Sequence, residues 1–196
     1  RRRYDYIISL STPILQVLAQ ANQSIPHVFG MVTDPFRMGV AKNPQDHLPQ
    51  LTGVATLQPV GSAVKVMREL FPKARKIGIV WNTAEACSEA CTYKAREAVA
   101  QYGFELIEAN VSGTGEVLDA ANSLIARDIE IYITSGDNTV LLATQSLADL
   151  MKRHKIPFFT NGPSDVDLGA FIGLGADYYQ VGRETARVAL RVLGGE

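Results

Sequence analysis

Lys76-Ile77-Gly78-Ile79-Val80-Trp81-Asn82 decides the fold: five apolar residues in succession, opened by a cation and closed by a polar residue that starts a turn. A strand with one wet face alternates apolar and polar, whereas a run that is apolar throughout belongs to a strand covered on both faces, as in a parallel sheet. Outward from it, the same kind of short β-branched run recurs. Tyr4–Leu10, His27–Val32, Phe104–Ala109, Ile129–Thr134, Pro157–Thr160 and Ala170–Leu174 read as further strands. Segments of helical period lie between them. Thr12 and Pro13 have the placement of an N-cap and a first helical residue for a helix reaching Ala21. Val64, Met67, Leu70 and Phe71 mark a second helix, stopped by Pro72. A third runs from about Ala84 to Tyr102 and ends at Gly103, a C′ glycine. Val117 to Ile125, Val140 to His154 and Val181 to Val192 carry three more apolar stripes. This β-α-β-α rhythm predicts right-handed crossovers and doubly wound parallel α/β sheets.

One region departs from the rhythm. Residues 34–59 hold four of the nine prolines and one short apolar piece, Leu51–Leu57. It reads as a long loop, a brief strand and a change of direction, where the chain passes from one lobe to another. With 196 residues there is room for one large domain or two small ones.

Composition narrows the chemistry. A net charge of −1 gives no electrostatic footing for nucleic acid or an anionic membrane. Arg1-Arg2-Arg3 is too short to be more than a solvated end. No apolar run approaches the roughly 20 residues of a membrane span, and no signal-peptide core is present. Cys87 and Cys91 lack the second ligand pair of a structural zinc site, and His27, His47 and His154 are scattered. Both cysteines fall on one helical stripe with Ala95, Ala98 and Tyr102, as small core residues. Neither a metal nor a cofactor is expected. The phosphate-binding, nucleophile-elbow and zinc-protease motifs are all missing, and no histidine follows a strand end.

Ligands of open α/β sheets sit beyond the carboxyl ends of the strands. Polar residues gather there: Ser11-Thr12, Thr33-Asp34, Asn82-Thr83, Ser135-Gly136-Asp137-Asn138, Asn161 and Gly175-Ala176-Asp177-Tyr178. Thr12, Thr83, Asn138 and Asp177 also have the placement of helix caps; their concentration at six strand ends is what points to a binding cleft.

At these same ends the chain resembles a known family. Val28-Phe29-Gly30-Met31-Val32-Thr33-Asp34-Pro35, Leu51-Thr52-Gly53-Val54, and Glu69-Leu70-Phe71-Pro72-Lys73-Ala74 followed by Ile77 to Asn82 are similar to blocks of ABC-transporter substrate-binding proteins of the tryptophan and aromatic amino-acid receptor kind. Ile131-Tyr132 with Asp137-Asn138-Thr139-Val140, then Ile156 to Phe159, and Gly169-Ala170 through Asp177-Tyr178-Tyr179-Gln180-Val181-Gly182 complete the series in order.

The resemblance implies two lobes of periplasmic-binding-protein type I kind closing over a small ligand by hinge motion. It places the partial first lobe at residues 1–58 plus 177–196 and the second lobe at 59–176, with the chain truncated at both ends. It implies ligand contacts from Ser11, Thr12, Thr33 and Asp34 on one lobe. Asn82, Glu85, Ser88, Asp137 and Asn138 would supply them on the other, with Asp177 at a crossing. Asp34 and Asp137 suit an ammonium and helix N-termini a carboxylate, so an amino acid is the ligand class implied. Cys87 and Asn161-Gly162-Pro163 depart from the family pattern.

A non-catalytic, extracytoplasmic receptor follows, periplasmic or anchored as a lipoprotein, serving an ABC permease. Self-association through the incomplete lobe is a further expectation. The alternatives are the sensing domain of a signalling protein and a small α/β enzyme using Asp34 or Asp137.

Overall fold

The structure, a computed structural model, describes residues 4–134 and 136–195; Arg1, Arg2, Arg3, Ser135 and Glu196 lie outside the described residues. The chain divides into two units, Arg1–Leu57 with Asp177–Glu196, and Gln58–Ala176.

The first unit is built on β1 (Ile7–Leu10), β2 (His27–Val32) and β5 (Leu51–Ala55), parallel and in the order β1-β2-β5. Helix α1 (Thr12–Ala21) lays Leu15 on Phe29, Val32 and Leu51, which form the buried cluster of this unit. Helix α7 (Tyr178–Leu193) packs on β2 and β5. It comes so close that a Cβ on Gly30 would stand 2.4 Å from Thr185 Oγ1, so only glycine fits there. The pairing of β2 with β5 slips between Phe29 and Val32, and Met31 at φ 56° absorbs the irregularity.

The loop expected at 34–59 holds structure of its own. A small antiparallel pair, β3 (Ala41–Asn43) and β4 (Asp46–His47), is turned by Asn43, whose Oδ1 accepts from the amides of Gln45 and Asp46. Its side chains are mostly exposed and polar, so no apolar alternation announces it.

His27 opens β2 with 1% of its surface exposed and shares a 2.7 Å hydrogen bond with Ser9 through Nε2. Burial lowers its pKa from the ordinary value, so the folded unit holds it neutral. The unfolded chain takes up that proton first, as pH falls below about 6.5. This contribution to stability is therefore complete above that pH and is lost on the way down to the folded-state pKa. Urea titrations from about pH 7.5 down to about pH 5 should show a falling midpoint, and His27→Gln, which keeps a partner for Ser9, should flatten the slope. An identical slope in the variant would assign the loss to other groups.

The second unit carries a five-stranded parallel sheet in the order β10-β9-β8-β6-β7. Its strands are β6 (Lys76–Asn82), β7 (Glu105–Val111), β8 (Ile131–Ile133), β9 (Phe158–Thr160) and β10 (Ile172–Gly173). Helices α2 (Val60–Leu70) and α3 (Ala86–Gln101) bury Val64, Met67, Cys91, Ala95 and Val99 with Ile77, Ile79, Ile131 and Phe159. Helix α4 (Val117–Ile125) and helix α6 (Thr144–Arg153) bury Leu124, Leu147 and Met151 with Val80, Tyr132 and Phe158. Ile79 and Val80 thus belong to different clusters, which is why the central strand is apolar on consecutive residues.

The single helix expected from Val140 to His154 is two, α5 (Asn138–Leu141) and α6, with Leu142 and Ala143 between them. Gly175 closes the unit under steric constraint. A Cβ there would lie 1.7 Å from the carbonyl oxygen of Asn161.

Candidate functional site

Parallel pairing of Ile77–Ile79 with Ile131–Ile133 brings the carboxyl ends of β6 and β8 side by side in the second unit. The chain leaves β6 at Asn82, whose Oδ1 accepts from Ala84 N at 2.9 Å and turns it toward α3. Beyond β8 it reaches Asp137, which N-caps α5 by accepting from Val140 N at 2.8 Å through Oδ1. The other oxygen of Asp137 accepts from Asn82 N at 2.6 Å and from Ser88 Oγ at 2.5 Å. With 0% exposure, this carboxylate is closed off by donors from three places in the chain. It positions the two loops; no room is left for it to meet an ammonium itself.

Glu85 does the corresponding work nearer the surface. Its Oε2 accepts from Asn138 N at 2.9 Å, Asn138 Nδ2 at 2.8 Å and the Cys87 thiol at 3.4 Å. Its Oε1 accepts from Thr139 N at 3.0 Å and from the Thr139 hydroxyl. Burial pushes the Glu85 carboxyl up, but these donors outweigh it and leave the pKa below the ordinary value. Burial and the charge of Glu85 push the Cys87 thiol up to about 12, so it is a neutral donor.

Glu85 occupies the N-cap position of α3 yet its side chain caps none of that helix's backbone amides. Its carboxylate is turned to the first amides of α5 instead. The first-turn N–H groups of α3, which no intrahelical carbonyl can reach, keep the partial positive charge of a helix start.

The structure therefore joins Asn82, Glu85, Ser88, Asp137 and Asn138 into one network. Thr139 is its unforeseen member: its hydroxyl also accepts from Asn82 Nδ2 at 3.0 Å, and its carbonyl accepts from Thr114 Oγ1 at 3.1 Å. The only sequence signal for it is its place in the Asp137-Asn138-Thr139-Val140 block. Asn161, noted at a strand end, is buried and accepts from Thr134 Oγ1 at 3.4 Å.

In the first unit, Ser11 rather than Thr12 is the N-cap of α1, at φ 84°, and Thr12 is the first helical residue, so the helix starts one position earlier than expected. Thr12 Oγ1 accepts from Thr33 N at 3.1 Å, with both residues buried, so two of the nominated positions are bound to each other. Asp34 accepts from the amides of Phe36 and Arg37 through Oδ1. Asp177 is an exposed N-cap of α7, accepting from Tyr179 N at 3.0 Å and Gln180 N at 3.1 Å.

Parallel sheets wound with helices, and polar groups collected at the strand carboxyl ends beside a helix start that its own N-cap side chain leaves open, define an open-sheet α/β protein, a class whose ligands sit at those ends. The model of the ABC transporter substrate binding protein family matches residues 1–196, and the chain belongs to that family.

Among its relatives, the tyrosine-binding protein of Clostridioides difficile is 27% identical over 192 residues, 98% of this chain and 55% of that protein. A solved conserved domain protein from Vibrio cholerae is 31% identical with a TM-score of 0.90, covering 99% of this chain and 65% of the other. A Streptococcus pneumonia domain solved in complex with L-Trp is 21% identical with a TM-score of 0.90, covering 98% and 65%. The chain thus spans about half of the curated relative and under two thirds of these structures.

Proposed function

We propose that this chain is the solute-binding part of an extracytoplasmic ABC import receptor, that it is not an enzyme, and that its ligand is an amino acid. The observation that carries this is the uncapped first turn of α3, set beside the polar edge of Glu85 and Asn138. The amides of Ala86 and Cys87 suit the carboxylate of an amino acid. The exposed Asn138, held beside the negative charge of Glu85, suits its ammonium. Ser11, Thr12, Thr33, Asp34 and Asp177 are proposed as the contacts contributed by the first unit. A relative named for binding tyrosine favours an aromatic side chain.

Thermal unfolding with each of the twenty amino acids tests it. Tyrosine, phenylalanine or tryptophan should raise the midpoint by several degrees, since a ligand bound only by the folded state stabilises it by mass action. Calorimetric titration should then show about tenfold weaker binding for Asn138→Ala, about what one lost hydrogen bond to a charged group is worth. A screen in which no amino acid moves the midpoint overturns the ligand class while leaving the family membership standing.

An ABC permease is the proposed partner, and export with lipid anchoring the proposed location. No helix among the described residues is long and apolar enough to cross a membrane. Self-association through the outer edge of β1 is proposed as well. Ile8 and Leu10 on that strand, and Ile14 and Val17 on α1, are 49–66% exposed. A clean monomer at high concentration in sedimentation would sink that last point.

A further inference from the structure

At the amino ends of the strands in the second unit, opposite the network of Asp137, two basic stretches converge. Lys73-Ala74-Arg75-Lys76 leads into β6, and Lys152-Arg153-His154-Lys155 ends α6. They frame two adjoining grooves of about 420 and 440 Å³ that share Lys155 and Pro157. Lys152 and Phe171 line the first; Leu70, Phe71, Lys73 and Glu130 line the second.

The floor is aromatic. Phe71, Phe159 and Phe171 form a triad with ring centroids 5.8–6.2 Å apart, and Phe171 is 53% exposed. Leu70 beside it is 50% exposed. Lys73, Lys152 and Lys155 make no ion pair among the described residues. Among the described residues, the acid lining these grooves is Glu130, which accepts from the backbone amides of Arg75 and Lys76 through Oε2 and is so tied to the loop.

Lys155 is held at some expense. Helix α6 ends in a Schellman motif, with Ile156 N donating to Met151 O at 2.9 Å and Lys155 N to Lys152 O at 3.1 Å. The residue at its left-handed position is Lys155, at φ 57°. The equivalent position after α3 is Gly103, at φ 70°. Glycine is the residue such a cap favours, because any Cβ there is crowded. A lysine in that place keeps a cation at the junction of the two grooves and costs the helix end stability, a strain that points to a use.

We propose that this face docks a protein segment bearing acidic and aromatic side chains, its aromatic groups seated in the two grooves and its carboxylates on Lys73, Lys152 and Lys155. Unpaired cations around an exposed apolar floor fix the partner's chemistry by complementarity. The concave shape selects side chains over the plane of lipid headgroups. The surface is independent of the strand-end polar network and of its ligand.

Lys155→Gly separates this from a structural role, because it relieves the backbone while removing the charge. The probe is a fluorescein-labelled octapeptide, Glu-Phe-Asp-Glu-Phe-Asp-Glu-Phe, read by fluorescence anisotropy at low salt. Wild type should bind it saturably with Kd on the order of 10–100 μM, as a small, weak interface would. Lys155→Gly should weaken binding about tenfold yet raise the melting point by about 2–4 °C. Leu70→Ser, at a side chain already half in water, should weaken it as well. The same peptide with serine for phenylalanine should bind about tenfold less well. Absence of saturable binding, equal binding of the serine peptide, or binding confined to phosphatidylglycerol vesicles overturns the proposal, the last in favour of a membrane surface.

Discussion

Replacing Asp137 with alanine is expected to destabilise the second unit by about 3–5 kcal/mol, the cost of stranding buried groups that had a charged partner. Three donors lose their acceptor at once: Asn82 N, Ser88 Oγ and Val140 N. Ser88 is fully buried and Asn82 nearly so, which limits the water that could replace the carboxylate. Relief from burying a charge acts the other way, but the charge is already met by three short bonds, so the stranded donors dominate. Asp137→Asn should lose less, about 1–2 kcal/mol, because its oxygen can still cap Val140 N while its amide nitrogen donates to Ser88 Oγ, which leaves one donor, Asn82 N, unmet. Trp81 is the chain's single tryptophan and immediately precedes Asn82, so its emission reports unfolding beside the altered group. A urea midpoint for Asp137→Ala corresponding to less than about 1 kcal/mol would show that the network is held without it.

Arg68→Ala is the second large loss, about 2–4 kcal/mol. One guanidinium ties together the C-terminal end of α2, the end of α3 and the approach to β6. Its Nε donates to Tyr102 O at 3.0 Å, Nη1 to Pro72 O at 3.0 Å and Ala74 O at 2.9 Å, and Nη2 to Gly103 O at 3.1 Å. The same group stands 3.6 Å above the centre of the Phe104 ring. The bonds to Tyr102 and Ala74 are partly buried and carry most of the effect; water can replace those to Pro72 and Gly103. Lysine has neither the planar fork nor its reach, so Arg68→Lys should recover less than half of the loss. A lysine variant as stable as the wild type would reduce the role of Arg68 to its charge and stem.

Strands buried on both faces and helices with a clear stripe could be read from the sequence because their signals are local. His27–Val32 and Thr12–Ala21 lie where the apolar pattern puts them. The hairpin of β3 and β4 could not be read that way. It is made by the side chain of Asn43 in a run of Lys42, Asn43, Asp46 and His47 that buries nothing apolar. The break at Leu142 and Ala143 was equally hidden, since both residues suit a helix.

At the site, placement beyond the strand ends was legible and the division of labour was not. Asp137 looks like a free carboxylate in sequence, and its three donors come from residues up to 55 positions away. Thr139 gave no signal of its own, because its importance depends on Glu85, 54 positions earlier.

The bond between Asn82 and Asp137 also bears on the order of folding. The helix start at Ala86 can form early from local contacts, but the carboxylate that fixes its approach belongs to a β-α step reached only after β7, α4 and β8 are in place. Pairing across such a separation closes a long loop and is slow for that reason. The strand-end network should therefore appear in one late cooperative step, with the amide of Asn82 gaining protection from hydrogen exchange together with that of Val140. A chain halted before residue 137 would carry the sequence of α3 and none of the carboxylate that fixes its approach.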